Sequence, residues 1–192
     1  HTGCERILNG ALVITQPAVL TATVTSTNVT CFGASNGTIS ITNPAGGYGT
    51  YEYSINGGGS WQPSGLFTGL VPGNYNVRIR DAANSNCVIV LNGALQITQP
   101  SVLNATVGST AVTCFGANNG TISITNPSGG YGTYEYSVNG GGSWQLTGNY
   151  SNLAPGTYNV RIRDRANTGC VIILNPSLSI TEPAILSASL TS

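Results

Sequence analysis

The segment Leu70-Val-Pro-Gly-Asn-Tyr-Asn-Val-Arg-Ile-Arg-Asp81 recurs as Leu153-Ala-Pro-Gly-Thr-Tyr-Asn-Val-Arg-Ile-Arg-Asp164. Its Pro-Gly dipeptide predicts a tight turn. After the turn, Tyr75, Val77 and Ile79 alternate with polar residues, which predicts a strand with one buried face. The same local structure is therefore expected twice in this chain.

The recurrence extends over the whole sequence. Residues 18–100 align with residues 101–183 without a gap, at an offset of 83. Residues 1–17 match the end of such a repeat and residues 184–192 match its beginning. A fixed period indicates one structural unit used repeatedly. We therefore predict two full repeats flanked by two partial ones, and we expect the chain to be a window of a longer periodic protein.

Each repeat has the turn and strand signals of an all-β domain. Asn36-Gly37 and Asn56-Gly-Gly-Gly59 are hairpin signals, and short alternating runs lie between them. We count six or seven short strands and no helical period. One strand is expected near Trp61, and Ile89 is expected to face inward in the closing strand. This pattern favours tandem immunoglobulin-like antiparallel β-sandwich domains. Because Pro100 is followed almost at once by the next predicted strand, the domains are expected to form a rod-like array.

Composition excludes several classes of function. The chain has six acidic and six basic residues, and its net charge is zero. This argues against binding to nucleic acid, which requires clustered cations. There is no lysine, and the only histidine is His1. We therefore predict no enzyme activity, no catalytic residues, no cofactor and no metal site, and no membrane insertion.

The cysteines follow the period. Each repeat has an early cysteine (Cys31, Cys114) and a late one (Cys87, Cys170), and Cys4 is a late cysteine of the partial repeat. Two pairings respect the period. One lies within repeats, as Cys31–Cys87 and Cys114–Cys170, and the other crosses junctions, as Cys4–Cys31 and Cys87–Cys114. We favour the first, because an even number of strand reversals would place both cysteines at one end of a domain.

Other side chains have a structural and a functional interpretation. Trp61 and Trp144 are either sandwich core or possible ligand contacts that stack on sugars. Glu52 with Arg78 or Arg80 predicts a cross-strand ion pair. Asp81 is expected to bind backbone N–H groups of its turn rather than calcium, which takes 6–8 oxygen ligands.

Seven of the 23 differences between the repeats fall between residues 63 and 71. This clustering is typical of a tolerant surface segment, and it also fits a variable contact surface.

Taken together, the motifs at 29–39, 46–54, 70–84 and 97–100 resemble the SprB-type repeat of large surface adhesins of gliding bacteria of the Bacteroidota. The resemblance implies an immunoglobulin-like fold, a cell-surface location and export, commonly by type IX secretion. Departures include Tyr53 and Ile55, where members often have a tryptophan.

We therefore expect an extracellular structural and adhesive repeat protein that forms a stiff rod or filament. Its expected partners are neighbouring repeats, identical chains and surface polysaccharide. The alternative is an array of carbohydrate-binding modules.

Overall fold

A computed structural model describes residues 13–189, and within that range the chain is all-β with no helix. The twelve strands are β1 (Thr21–Thr27), β2 (Gly37–Ala45), β3 (Tyr51–Ser54), β4 (Leu66–Leu70), β5 (Gly73–Asp81), β6 (Val88–Ile97), β7 (Asn104–Thr110), β8 (Gly120–Ser128), β9 (Tyr134–Ser137), β10 (Asn149–Leu153), β11 (Gly156–Asp164) and β12 (Val171–Ile180). Strands β7 to β12 repeat β1 to β6 in order and length, which matches the period of the sequence.

Each set of six strands forms two three-stranded sheets. The first set gives the orders β1-β2-β4 and β3-β5-β6, and the second gives β7-β8-β10 and β9-β11-β12. The pairing is antiparallel in both kinds of sheet, as β8 with β7 and β11 with β9 illustrate. The predicted fold class, an immunoglobulin-like antiparallel β-sandwich, is confirmed.

The alternation that predicted the strands also builds the cores. Val77 and Ile79 of β5 are fully buried, as are Val160 and Ile162 of β11. In the second set these residues pack with apolar side chains from the facing sheet. The buried members of that core are Leu103, Val112, Ile122, Ile124, Tyr136, Val160, Ile162, Cys170 and Ile180. Removing such side chains from water is the main stabilising contribution to the sandwich.

The described residues divide into two compact units. Unit 1 contains residues up to 26, 38–68 and 74–96, and unit 2 contains 27–37, 69–73 and the residues from 97 onward. The connection between β1 and β2 (28–36) therefore belongs to unit 2, although β2 itself lies almost entirely in unit 1. The boundaries predicted from the period, at residues 17, 100 and 183, stay predictions.

The turn after β5 is organised by a buried carboxylate, as predicted. Asp81 is fully buried, and its Oδ1 accepts hydrogen bonds from the backbone N–H groups of Ala83 and Asn84, at 2.8 and 3.2 Å. Its Oδ2 accepts a third from the N–H of Tyr48. Gly47 has a φ of +61°, and a Cβ there would lie 2.4 Å from that Oδ2. Glycine is thus required at position 47, both by the positive φ and by the close approach of the carboxylate, which leaves no room for a Cβ.

Two local predictions are wrong. Ile89 was expected to face inward, but it is 36% exposed. The strand expected near Trp61 is only an isolated bridge between Tyr53 and Gln62. Both positions flank turns, where local alternation does not fix which side faces the core.

Candidate functional site

The most informative site is a disulfide between Cys31 and Cys170. Their Cα atoms are 5.3 Å apart, and they are separated by 139 residues in the sequence. This Cα separation is ordinary for a disulfide. Cys31 lies in the connection between β1 and β2, and Cys170 lies in the turn between β11 and β12. The bond therefore joins the early cysteine of one repeat to the late cysteine of the next.

This pairing corrects the sequence prediction. Cys31 is not paired with Cys87, Cys114 is not paired with Cys170, and Cys87 and Cys114 are free and exposed. The cross-junction alternative is also wrong, since Cys31 has another partner. Its remaining member, Cys4, lies outside the described residues.

Unit 2 gives the physical reason for the correction. The connection that contains Cys114 lies beside the end of β12, where the N–H of Val112 donates to the carbonyl oxygen of Thr181. Cys170 lies just before the beginning of β12, which is ten residues long. Ten residues of strand span about 33 Å. The prediction counted an even number of strand reversals, whereas the fold places these two cysteines at opposite ends of a strand.

Polar contacts surround the disulfide. Cys170 is buried, and its Sγ lies 3.1 Å from the carbonyl oxygen of Thr30. The hydroxyl of Tyr131 donates a hydrogen bond of 3.3 Å to the carbonyl oxygen of Val29. A cavity of about 200 Å³ lies beside the bond, lined by Phe32 and the strand beginning at Val171, among others. The connection containing Cys31 is therefore held by a covalent bond and by a hydrogen bond.

The residues between β6 and β7 are also fixed by hydrogen bonds in unit 2. The N–H of Gly33 donates to Oε1 of Gln99 at 2.8 Å, and the N–H of Gly130 donates to the carbonyl oxygen of Ser101 at 2.9 Å. The N–H of Val29 donates to the carbonyl oxygen of Thr98. This junction is a structured segment rather than a solvated linker.

A second recurring site is a stack of Glu, Arg and Trp. Glu52 is opposite Arg80 in the β3–β5 register, and the Arg80 Nη2 lies 2.6 Å from the carboxylate. The guanidinium of Arg80 also lies 4.5 Å from the centre of the Trp61 ring. Stacking of arginine on an aromatic face is a favourable cation–π contact. The predicted ion pair is confirmed, with Arg80 rather than Arg78 as the partner.

The second repeat has the same stack, in which Arg163 contacts both Glu135 and Trp144. Neither tryptophan belongs to the buried core; both are half-buried. The core interpretation of Trp61 and Trp144 is therefore wrong. Their role as ligand contacts stays a prediction, with one ring face already covered by arginine. The sequence predicted the ion pair but not the contact between the tryptophan and the arginine. That contact depends on the turn at 56–59, which places the ring beside the arginine.

The variable segment contains the strands β4 and β10. Each pairs only with the central strand of its sheet and so forms a sheet edge. Position 67 is Phe and its counterpart is Tyr150, whose buried hydroxyl has no hydrogen-bond partner. Burial raises the pKa of Tyr150 to about 12. One difference between the repeats thus places an unsatisfied polar group in the second repeat.

Residues 13–189 show neither a metal-binding cluster nor a membrane-spanning helix. No cluster of three or more His, Cys, Asp and Glu side chains suited to a metal ion occurs in that range. The same residues contain no helix long and apolar enough to cross a membrane.

Comparison with known families agrees with this geometry. The model of the SprB repeat matches residues 23–60 and 106–143, which occupy equivalent positions in the two repeats. The resemblance to SprB-type repeats that the sequence motifs indicated is thus confirmed at both places. No curated protein and no solved structure matches the chain. The family match supports a repeat protein that is exposed on the cell surface or extracellular.

Proposed function

We propose that this chain is part of an extracellular structural and adhesive protein whose tandem β-sandwich domains form a stiff surface rod or filament. The observation that carries the proposal is the disulfide between Cys31 and Cys170, which links consecutive repeats. A module that functions alone gains nothing from a bond to the following repeat. A bond of this kind restricts bending at each junction, which is the property that an extended surface fibre needs.

Two further features support the proposal. The junction between β6 and β7 is short and hydrogen-bonded, so that it offers little freedom for a hinge. Disulfides persist in oxidising compartments, which fits a protein exported to the cell surface. We include type IX secretion and a role in gliding on the basis of the SprB resemblance. The proposal assigns no catalytic role to the chain, because its sequence has no lysine and its only histidine is His1.

Small-angle X-ray scattering of the purified chain tests the stiffness. We expect the oxidised chain to scatter as one elongated particle of fixed length. Cys31→Ser should broaden the distribution of lengths, while Cys87→Ser, the matched control, should leave it unchanged. A broad distribution for the oxidised wild-type chain would contradict the proposal.

Electron microscopy of the native material tests the fibre itself. We expect filaments with an axial repeat of one or two domains. A flexible chain with variable angles between domains would contradict a stiff rod.

The alternative, an array of carbohydrate-binding modules, predicts that polysaccharide binds beside Trp61 and Trp144. A glycan array probed with the wild-type chain and with Trp61→Ala/Trp144→Ala tests it. Binding that disappears in a folded double variant would favour this alternative over a structural role.

A further inference from the structure

We propose that Asn92 is a site of spontaneous covalent modification, at which the dipeptide Asn92-Gly93 rearranges to aspartate and isoaspartate. The inference goes beyond the proposed function and does not depend on it. It rests on a comparison of the Asn-Gly dipeptides of the chain. Within residues 13–189 these dipeptides begin at Asn36, Asn56, Asn92, Asn119 and Asn139. A sixth, Asn9-Gly10, lies outside the described residues.

The reaction of an Asn-Gly dipeptide needs only its own atoms and water. The backbone nitrogen of the glycine attacks Cγ of the asparagine and gives up its proton, while the Cγ–Nδ2 bond breaks and Nδ2 leaves with that proton as ammonia. The product is a succinimide ring. Water then opens the ring: its hydroxyl group joins one of the two ring carbonyl carbons, and its other hydrogen returns to the glycine nitrogen. Opening at Cγ gives aspartate, and opening at the main-chain carbonyl carbon gives isoaspartate.

Three conditions decide which of these dipeptides reacts. The N–H of the glycine must be free to attack, the side-chain amide must be free to turn toward it, and both groups must be accessible to water. Hydrogen bonds within the fold oppose the first two conditions. A dipeptide that is held by such bonds reacts only after the structure around it has opened.

The dipeptides that precede β2 and β8 are held through the asparagine side chain. Oδ1 of Asn36 accepts a hydrogen bond from the N–H of Thr30 at 3.0 Å, and Nδ2 of Asn36 donates to Oγ1 of Thr30 at 2.7 Å. Asn119 has the same two bonds to Thr113. The glycine that follows is buried in both repeats. Neither dipeptide is therefore free to react in the folded chain.

The dipeptides of the glycine-rich turns are held at both reacting groups. Oδ1 of Asn56 accepts from the N–H of Ser60 at 3.0 Å, and its Nδ2 donates to Oγ of Ser60 at 2.9 Å. The attacking group, the N–H of Gly57, donates to the carbonyl oxygen of Asn76 at 3.0 Å. The second repeat has the same contacts around Asn139. These two dipeptides are protected as well.

Asn92 and Gly93 differ from the other four pairs in exposure and in contacts. Both residues are exposed to solvent. Oδ1 of Asn92 accepts a hydrogen bond of 3.0 Å from the N–H of Ala94, two residues further along the chain. This turn folds the side-chain carbonyl over the Gly93 peptide. The bond also stabilises the oxygen on which negative charge develops during the attack.

The second repeat indicates that the sheet does not need the N–H of Gly93. The equivalent dipeptide is Asn175-Pro176, and proline has no N–H. Strand β12 is nevertheless as long as β6, and Oδ1 of Asn175 accepts from the N–H of Ser177 in the same turn. Asn175 lies opposite Val160, and the register shifts on both sides of that pair. Because a bulge leaves a residue outside the ladder, we infer that the N–H of Gly93 is free to attack.

The modification changes the edge of a sheet in the first repeat and not in the second. Strand β6 is at the edge of the sheet β3-β5-β6 and contains no charged residue. Aspartate or isoaspartate at position 92 gives this strand one negative charge, in a chain whose net charge is zero. Isoaspartate also adds a carbon atom to the main chain of β6. Since charge on an edge strand opposes pairing with another chain, the modified edge is a poorer template for association.

Peptide mapping of the full chain tests the proposal. The chain is incubated in warm, mildly alkaline buffer, and samples taken over time are digested and analysed by tandem mass spectrometry, with fragmentation that distinguishes isoaspartate from aspartate. Every sample carries Asn9→Gln, so that the sixth dipeptide does not contribute. We expect Asn92 to convert at least about tenfold faster than each of the other four asparagines, because these must first break hydrogen bonds.

Two variants that exchange the repeats are the matched controls. Gly93→Pro gives the first repeat the dipeptide of the second, and it should abolish conversion at Asn92. The variant is expected to fold, because Pro176 occupies the equivalent position, and circular dichroism checks this. Pro176→Gly gives the second repeat the dipeptide of the first, and it should make Asn175 convert at a rate comparable with that of Asn92.

Unfolding separates the contribution of the structure from that of the dipeptide itself. In concentrated guanidinium with a reducing agent, the five asparagines should convert at similar rates, because the protecting hydrogen bonds are lost. Rates that keep the order of the folded chain would overturn the proposal, since the local sequence and not the fold would then set them.

Three results with the folded chain would also overturn it. One is conversion at equal rates at the five sites, and another is conversion of Asn36 or Asn56 ahead of Asn92. The third is an unchanged Asn92 over a period in which the unfolded chain converts. None of these results bears on the proposed filament, which electron microscopy tests separately.

Discussion

The two repeats have nearly the same core and differ in the state of their cysteines. Ile39 and Val77 are buried in the first repeat just as Ile122 and Val160 are in the second. Yet Cys31 is bonded while its equivalent Cys114 is free, and Cys170 is bonded while its equivalent Cys87 is free. Whether Cys31 and Cys170 are bonded therefore depends on a contact between consecutive repeats and not on the fold of one repeat.

The largest expected effect on stability comes from the disulfide, the feature in which the two repeats differ. Replacing Cys31 and Cys170 together by serine should lower the free energy of unfolding by up to about 5 kcal/mol, because the bond closes a long loop in the unfolded chain. The matched variant, Cys87→Ser with Cys114→Ser, should leave stability nearly unchanged. Guanidinium unfolding of both variants, followed by circular dichroism, measures the difference. Equal losses would mean that the described pairing is wrong.

The buried aspartates should contribute equally to the stability of the two repeats. Asp81→Ala and Asp164→Ala should each lower stability by about 3 kcal/mol, because three backbone N–H groups lose the buried carboxylate that accepts their hydrogen bonds. Each carboxylate accepts from three such groups, among them those of Tyr48 and Tyr131. Urea unfolding, followed by tryptophan fluorescence, provides the measurement. A loss in only one repeat would contradict the equivalence of the two turns.

Substitutions at Phe67 and at its counterpart Tyr150 should change stability in opposite directions. Tyr150→Phe should raise stability by about 1–2 kcal/mol, because a buried hydroxyl without a partner is removed. Phe67→Tyr should lower stability by a similar amount. Thermal unfolding of the two variants checks the opposite signs, and a destabilised Tyr150→Phe chain would count against an unsatisfied hydroxyl.

The same residue predicts a dependence on alkaline pH. Its pKa is raised by burial from 10.0 to about 12 in the folded state. Between these values the unfolded state loses the proton first, so stability falls as the pH rises. Unfolding measured at pH values across this window should show a smaller fall for Tyr150→Phe than for the wild-type chain.

The smallest effect is expected at the Glu-Arg-Trp stacks. Glu52→Gln and Glu135→Gln should each cost less than about 1 kcal/mol, because partly exposed ion pairs contribute little. Urea unfolding in low and high salt measures the cost, and added salt should reduce it. A salt-independent loss in one repeat would show that its stack has a different role.

The strands and the turns could be predicted from the sequence, because each depends on residues close together in the chain, and the period is visible when the sequence is aligned with itself. The alternation at 75–79 predicted the buried face of β5, and Asp81 was correctly predicted to bind its own turn. The pairing of Glu52 with an arginine also followed, since it required only that two strands be neighbours.

The disulfide and the positions of the tryptophans could not be predicted from local sequence patterns and follow from the tertiary structure. The bond between Cys31 and Cys170 depends on which ends of the strands meet, and loop length and period leave several pairings possible. Trp61 lies on Arg80 because a turn brings the tryptophan ring across β3. An alternating pattern of apolar and polar residues does not predict such a contact. Both features depend on distances between segments remote in sequence, and local periodicity does not determine such distances.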